Sequence, residues 1–210
     1  VQQTIYDVLL LQFITKNPLE IDAVYFYGSG CSADDKKEII ATALKSVFTN
    51  ANIVVEHDLL GAAIGVCGTQ PGIAAILGTG SNSCYFDGEK VVKNIPALGY
   101  VLGDEGSGAY IGKELLKGYL NNEMDAAVLQ KFEMKFKPSL EGILDRVYKE
   151  ALPNRYFASF AKWVGEEVEN EKYLQEIVKK AFDAFFKKHI CKYENHSKLP
   201  LNVVGSIGYH

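Results

Sequence analysis

The chain has little of what announces several large classes of protein. Its 210 residues include four cysteines, Cys31, Cys67, Cys84 and Cys191, with no CxxC or CxxxC spacing among them. No zinc or iron–sulfur site is signalled, and buried, reduced thiols in a cytoplasmic protein are the expectation. No apolar stretch approaches the ~20 residues a membrane-spanning helix needs, and Val1 to Ile14 lacks the basic start of a signal peptide. An excess of positive charge is lacking too. Lys and Arg number 22 against 26 Asp and Glu, a formal net charge of −4. Neither nucleic acid nor a membrane is expected as a partner, and small diffusible molecules suit this balance better. Common catalytic signatures are missing as well. Ser107-Gly108-Ala109-Tyr110-Ile111-Gly112-Lys113-Glu114 imitates a Walker A loop but has Ser for its first Gly and Glu for its final Ser or Thr. There is no Gly-x-Ser-x-Gly elbow and no His-Glu-x-x-His helix.

Two glycine-rich turns stand out, Gly78-Thr79-Gly80-Ser81-Asn82 and Gly103-Asp104-Glu105-Gly106-Ser107. The first follows an apolar run, Gly72 to Leu77, that reads as a buried strand. The second opens an amphipathic stretch, Ala109 to Leu120, that reads as a helix. Glycines let backbone N–H groups approach an anion, and a helix N-terminus adds about half a positive charge. A phosphate is therefore expected here. Between the turns, Tyr85 to Val92 reads as two strands joined by an Asp87-Gly88 hairpin.

Elsewhere residues 1–15 look helical, with Ile5, Val8, Leu9 and Phe13 at helical spacing. Ile21 to Tyr27 reads as a strand ending in the tight turn Gly28-Ser29-Gly30. Ser32 and Asp35 have capping-box spacing before a helix whose apolar face runs from Ile39 to Phe48. Ile53 to Val55 is the next strand, and Asp58 heads a helix of small residues, Leu59 to Val66. This β-α-β-α order implies a largely parallel sheet. A domain boundary is expected near residue 70, dividing the chain into 1–70 and 71–210. From Met124 to Cys191 the pattern is mostly helical, with breaks at Pro138 and Pro153; the helix from Tyr173 to Ile190 is the clearest. Leu201 to Val204 reads as a final buried strand before Gly205-Ser206. His57 is expected to serve as a structural hydrogen-bonder, His189 and His196 to be solvated, and Trp163, Phe182, Phe185 and Phe186 to be core.

Taken in order, Val55-Glu56-His57-Asp58, Leu77 to Asn82, Gly103 to Ser107 and Val203-Val204-Gly205-Ser206 resemble the N-acetylglucosamine kinase branch of the BadF/BcrA-type ATPase family. That family belongs with actin, hexokinase and the DnaK-type chaperones. The resemblance implies an α/β fold of two ribonuclease-H-like domains with a cleft between them, the second carrying a helical insertion at about 121–170. It implies ATP and Mg2+ as cofactors and phosphorylation of an N-acetylated amino sugar, N-acetylglucosamine to its 6-phosphate. Asp58 looks like the catalytic base that takes the proton of the attacking hydroxyl, though helix N-cap is its plainer role. Gly78, Thr79 and Gly80 look like a phosphate-binding loop, and Ser81, Asn82, Gly99 and Asp104 like sugar contacts. Gly205 and Ser206 resemble an adenosine-side turn. No metal ligand is assigned, and a homodimer is implied by analogy alone.

The family opens with an Asp-Gly-Gly-x-Thr hairpin that organises magnesium and the outer phosphates, and this sequence has none. About 50 residues of a first βββα segment are therefore expected outside the chain. Two alternatives share the fold: an ATPase that activates a partner enzyme, and a non-catalytic sugar-binding relative. Fold alone distinguishes none of these.

Overall fold

The structure is a computed structural model in which residues 17–209 are described; the helix read over residues 1–15 lies outside them. The chain is mixed α/β and divides into two compact units, Val1–Gly65 and Val66–His210.

In the first unit β1 (Ala23–Gly28) and β2 (Asn52–His57) pair in parallel, with Ala23 opposite Asn52 and Gly28 opposite His57. Parallel neighbours need a crossover, and α1 (Asp34–Lys45) supplies it. Leu44, Val47, Phe48 and Val55 form the buried cluster beneath, although Val47 and Phe48 lie past the end of α1. The expected Ser32/Asp35 capping box is not there. Ala33 is the N-cap, and its carbonyl accepts from the N–H groups of Lys36 and Lys37. Ser32 sits one residue too early for its hydroxyl to serve, and Asp34 and Asp35 answer the helix dipole by charge instead. α2 (Asp58–Cys67) follows β2 without a break.

The second unit holds a four-stranded sheet in the order β5-β4-β3-β6. β3 (Gly72–Leu77), β4 (Ser81–Phe86) and β5 (Val91–Ile95) form an antiparallel meander, and β6 (Leu201–Val204) returns parallel to β3. The Asp87-Gly88 turn forms as its sequence suggests: Asp87 Oδ1 accepts from the N–H groups of Glu89 and Lys90. β3 is buried at every residue but Ile76. β6 is not the buried strand its apolar sequence suggests. Among the described residues it is an edge strand bonded to β3 alone, and Val203 and Val204 remain 36% and 38% exposed.

Helices follow the sheet: α3 (Gly99–Leu102), α4 (Gly108–Leu120), α5 (Ala126–Phe136), α6 (Leu140–Tyr148), α7 (Pro153–Ser159), α8 (Ala161–Glu167), α9 (Lys172–Lys188) and, after β6, α10 (Ser206–Tyr209). The two prolines act as expected: Pro138 follows the left-handed cap at Lys137, and Pro153 begins α7. α9 sends Phe185 against β3, and Leu174, Ile177 and Ala181 into the helical core. Two side-chain expectations are corrected. Phe186 falls on the outer face of α9 and is 45% exposed, and Cys191 is exposed in the turn that follows.

Phe132 is fully buried at the centre of the helical core, with the rings of Tyr119, Phe136, Trp163 and Phe160 within 5.9 Å. Phe132→Ala should lower unfolding free energy by about 3–5 kcal/mol, read by chemical denaturation with Trp163 emission as the probe. A loss below about 1 kcal/mol would contradict this core.

Candidate functional site

Most of the singled-out residues of the second unit gather at the carboxyl ends of β3 and β6, where ligands bind in open α/β sheets. The β3–β4 hairpin turn, Gly78-Thr79-Gly80, lies there against the first residues of α4. The Gly108 N–H donates to the Gly78 carbonyl at 2.8 Å and the Ala109 N–H to the Thr79 carbonyl at 3.0 Å. Ser107 Oγ accepts the Tyr110 N–H at 3.1 Å. The first three N–H groups of α4 are thus taken within the protein, which corrects the expectation of a phosphate at that helix N-terminus. The free donors lie on the hairpin itself. The N–H groups of Thr79 and Gly80 make no hydrogen bond to any described residue, and Thr79 is exposed.

Asp104 joins the two turns. Its backbone has φ of 56°, unusual for a residue with a side chain, and it is only 8% exposed. A Cβ at position 80 would come within 2.9 Å of Asp104 Oδ2, so only glycine leaves room for this carboxylate. Burial pushes the Asp104 carboxyl up, and the charge of Glu105 adds to the rise; the Ser81 N–H, Lys113 and His189 oppose it without cancelling it. Ser81 is itself buried, and its Oγ has no partner among the described residues. A buried carboxylate that accepts the Ser81 N–H and an orphaned hydroxyl on adjoining turns leave hydrogen-bonding capacity that the described residues do not fully use.

Glu105 points the other way. Burial pushes its carboxyl up, but Lys188 at 2.5 Å, its own N–H and His189 at 3.2 Å outweigh that and hold it below the ordinary range. His189 is not solvated as expected. It caps the end of α9, where the chain bends into the next turn, and its ring is buried against Phe185 at 5.2 Å. Sequence gave no signal for this cluster, because Lys188 lies 83 residues from Glu105.

The remaining residues are more dispersed. Asn82 is half-buried, and its Oδ1 accepts from Asn94 Nδ2 at 2.9 Å, a partner nothing in the sequence suggested. Gly99, exposed with φ of 72°, opens α3, and its carbonyl accepts the Gly103 N–H. Gly205, with φ of 111°, lies where a Cβ would stand 2.3 Å from the Leu77 carbonyl and 3.2 Å from the Gly78 nitrogen. Ser206 is exposed at the start of α10. In the first unit Asp58 begins α2 half-buried, and among the described residues its Oδ1 accepts only the adjacent Leu59 N–H at 2.9 Å. His57 Nδ1 accepts the Leu60 N–H at 3.2 Å, so the histidine does the capping that the sequence offered to Asp58.

A solved structure from Porphyromonas gingivalis, provisionally named an N-acetylglucosamine kinase, superposes on 99% of this chain with a TM-score of 0.92. The two are 36% identical, and this chain covers 72% of that one. The chain belongs to the N-acetylglucosamine kinase family. A second such structure, from Chromobacterium violaceum, matches with a TM-score of 0.68 at 17% identity and speaks for the fold alone. A curated N-acetylmuramic acid/N-acetylglucosamine kinase of Clostridium acetobutylicum is 26% identical over 153 residues, 69% of this chain. This chain spans about half the length of that relative, 49%. No protein-family model matches the sequence. No helix among the described residues is long and apolar enough to cross a membrane.

Because the folded pKa of Asp104 is raised, the fold favours its protonated form. The stability this group contributes is present below the unfolded carboxylate value of about 3.9 and is lost as pH rises through the folded value. Asp104→Asn should therefore melt higher than the parent protein at neutral pH, and the difference should close toward about pH 4. Thermal melts across that range check it, and a variant that melts lower at neutral pH would contradict the assigned direction.

Proposed function

We propose that this protein is an ATP-dependent kinase of N-acetylated amino sugars that phosphorylates N-acetylglucosamine at O6. The observation that carries the reading is the pairing of the buried Asp104 carboxylate with the orphaned Ser81 hydroxyl, two groups suited to the hydroxyls of a sugar. The names of the relatives point to the sugar, and chemistry supplies the roles. An ionised carboxylate accepts two or more hydroxyl donors, which is how a neutral sugar is oriented without charge attraction. Asn82 and the backbone at Gly99 are proposed to complete these contacts.

ATP supplies the phosphoryl group. The fit of this chain to it rests on the hairpin tip, where the unpartnered N–H groups of Thr79 and Gly80 and the exposed Thr79 hydroxyl can receive phosphate oxygens. Gly205 and Ser206 are proposed for the adenosine side. For Mg2+ the described residues hold no group of three or more His, Cys, Asp or Glu side chains able to hold a metal ion. Magnesium is accordingly proposed to arrive on the phosphates. Phosphoryl transfer then asks the protein for positioning and for a base. Asp58 is proposed as that base. With His57 doing the capping, one face of its carboxylate is left to take the proton of the attacking hydroxyl. We propose the two halves, 1–70 and 71–210, as ribonuclease-H-like domains, with 121–170 a helical insertion in the second. Nothing observed favours the partner-activating ATPase or the non-catalytic binder.

Coupled ADP-release assays on the full-length protein, over glucosamine and its N-acetylated and muramic relatives, test the substrate. Asp58→Asn should lower turnover by about 10²–10⁴-fold while leaving sugar binding by calorimetry within about twofold. Unchanged turnover would remove Asp58 from the mechanism.

A further inference from the structure

We propose that the Glu105–Lys188–His189 cluster is a positioning clamp that fixes Asp104 for sugar and takes up the charge of Glu105, leaving Asp104 without a salt bridge among the described residues. The inference rests on the sugar-site reading of Asp104 and adds residues that the reading does not use.

The turn that carries Asp104 has little of its own to hold it. Gly103 and Gly106 flank the two acids, and glycine backbone is the least constrained there is. Within the turn itself the Ser107 N–H donates to the Asp104 carbonyl at 3.1 Å. Glu105 supplies an anchor from outside. Its carboxylate, 5% exposed, meets Lys188 Nζ at 2.5 Å and His189 Nε2 at 3.2 Å, both from the far end of α9. An ionised carboxylate only accepts, so His189 carries its proton on Nε2. Gly106 lies against Phe185 one helical turn earlier, near enough that a Cβ would come within 2.9 Å of it. The turn is thus docked on α9 at two successive residues, and the side chain of Asp104, turned outward by its left-handed backbone, reaches Gly80 on the opposite loop.

The same cluster divides the charge. Two adjacent carboxylates buried together repel, and a buried charge left unpaired is costly. Lys188 and His189 both bond Glu105, and neither bonds Asp104. Glu105 is therefore paired, and Asp104, which accepts the Ser81 N–H, keeps the rest of its acceptor capacity for ligand hydroxyls. Removing Lys188 would loosen the turn and leave the charge of Glu105, which already acts on Asp104, without its counter-ion.

Lys188 has a side chain 62% exposed, so replacing it opens no hole in the core. The test uses Lys188→Met, Lys188→Arg and His189→Gln in the full-length protein, with N-acetylglucosamine as the probe. Lys188→Met should raise the KM for the sugar about tenfold, with the KM for ATP within about twofold, and Lys188→Arg should restore it. His189→Gln, which keeps an N–H donor, should fall between. Amide exchange without sugar supplies the independent readout: the Ser107 N–H should exchange about tenfold faster in Lys188→Met. Faster exchange with unchanged sugar KM would overturn the positioning role. Unchanged exchange would overturn the clamp itself. A parent protein that neither binds nor phosphorylates amino sugars would overturn the functional reading, and the positioning role with it, while the exchange result would still report whether the clamp holds the turn.

Discussion

Two hydrogen bonds organise the second unit: Gly108 N–H to the Gly78 carbonyl and Ala109 N–H to the Thr79 carbonyl. They join a strand hairpin to a helix start and so decide where both glycine-rich turns lie. They also satisfy donors that a helix N-terminus would otherwise leave open. Everything ascribed to the site follows from that junction: the outward N–H groups of Thr79 and Gly80, the approach of Asp104 to Gly80, and the burial of Ser81. The helix dipole still points at the junction, but its donors act through the hairpin, not on a ligand directly.

Around this junction the protein places acids where burial works against them. Asp104 and Glu105 are adjacent and both buried, and among the described residues only Glu105 carries a salt bridge. The paired carboxylate ties the turn to α9, and the one without a salt bridge stays chemically available. Such an arrangement costs the fold stability locally and leaves hydrogen-bonding capacity at the turn.

Capping in the first unit shows the same division of labour at smaller scale. A helix that begins directly after a strand needs an acceptor at its first turn, and both His57 and Asp58 stand ready in the sequence. The imidazole takes the Leu60 N–H, leaving the aspartate with a single local bond to Leu59. That is the ground on which Asp58 is proposed as the base.

Much of this was legible in the chain itself. The parallel β-α-β start, the Asp87-Gly88 hairpin, the buried run of β3, the start of α4 and the stripe of α9 are set by residues within a few positions of one another, where periodicity and turn chemistry act directly. The four short motifs, in order, pointed to the right family. What the chain did not disclose was which cap wins at Ala33, that β6 lies at a sheet edge with its valines exposed, and that His189 is buried. Nor did it show that the donors of α4 are already taken. Apart from the cap at Ala33, which the local spacing decides, each is settled by a neighbour far away in sequence: 83 residues separate Glu105 from Lys188, and β6 pairs with β3 across the whole helical region. Local sequence sets what a segment can form; burial and pairing, which depend on the other segments, decide which of its polar groups remain free to act.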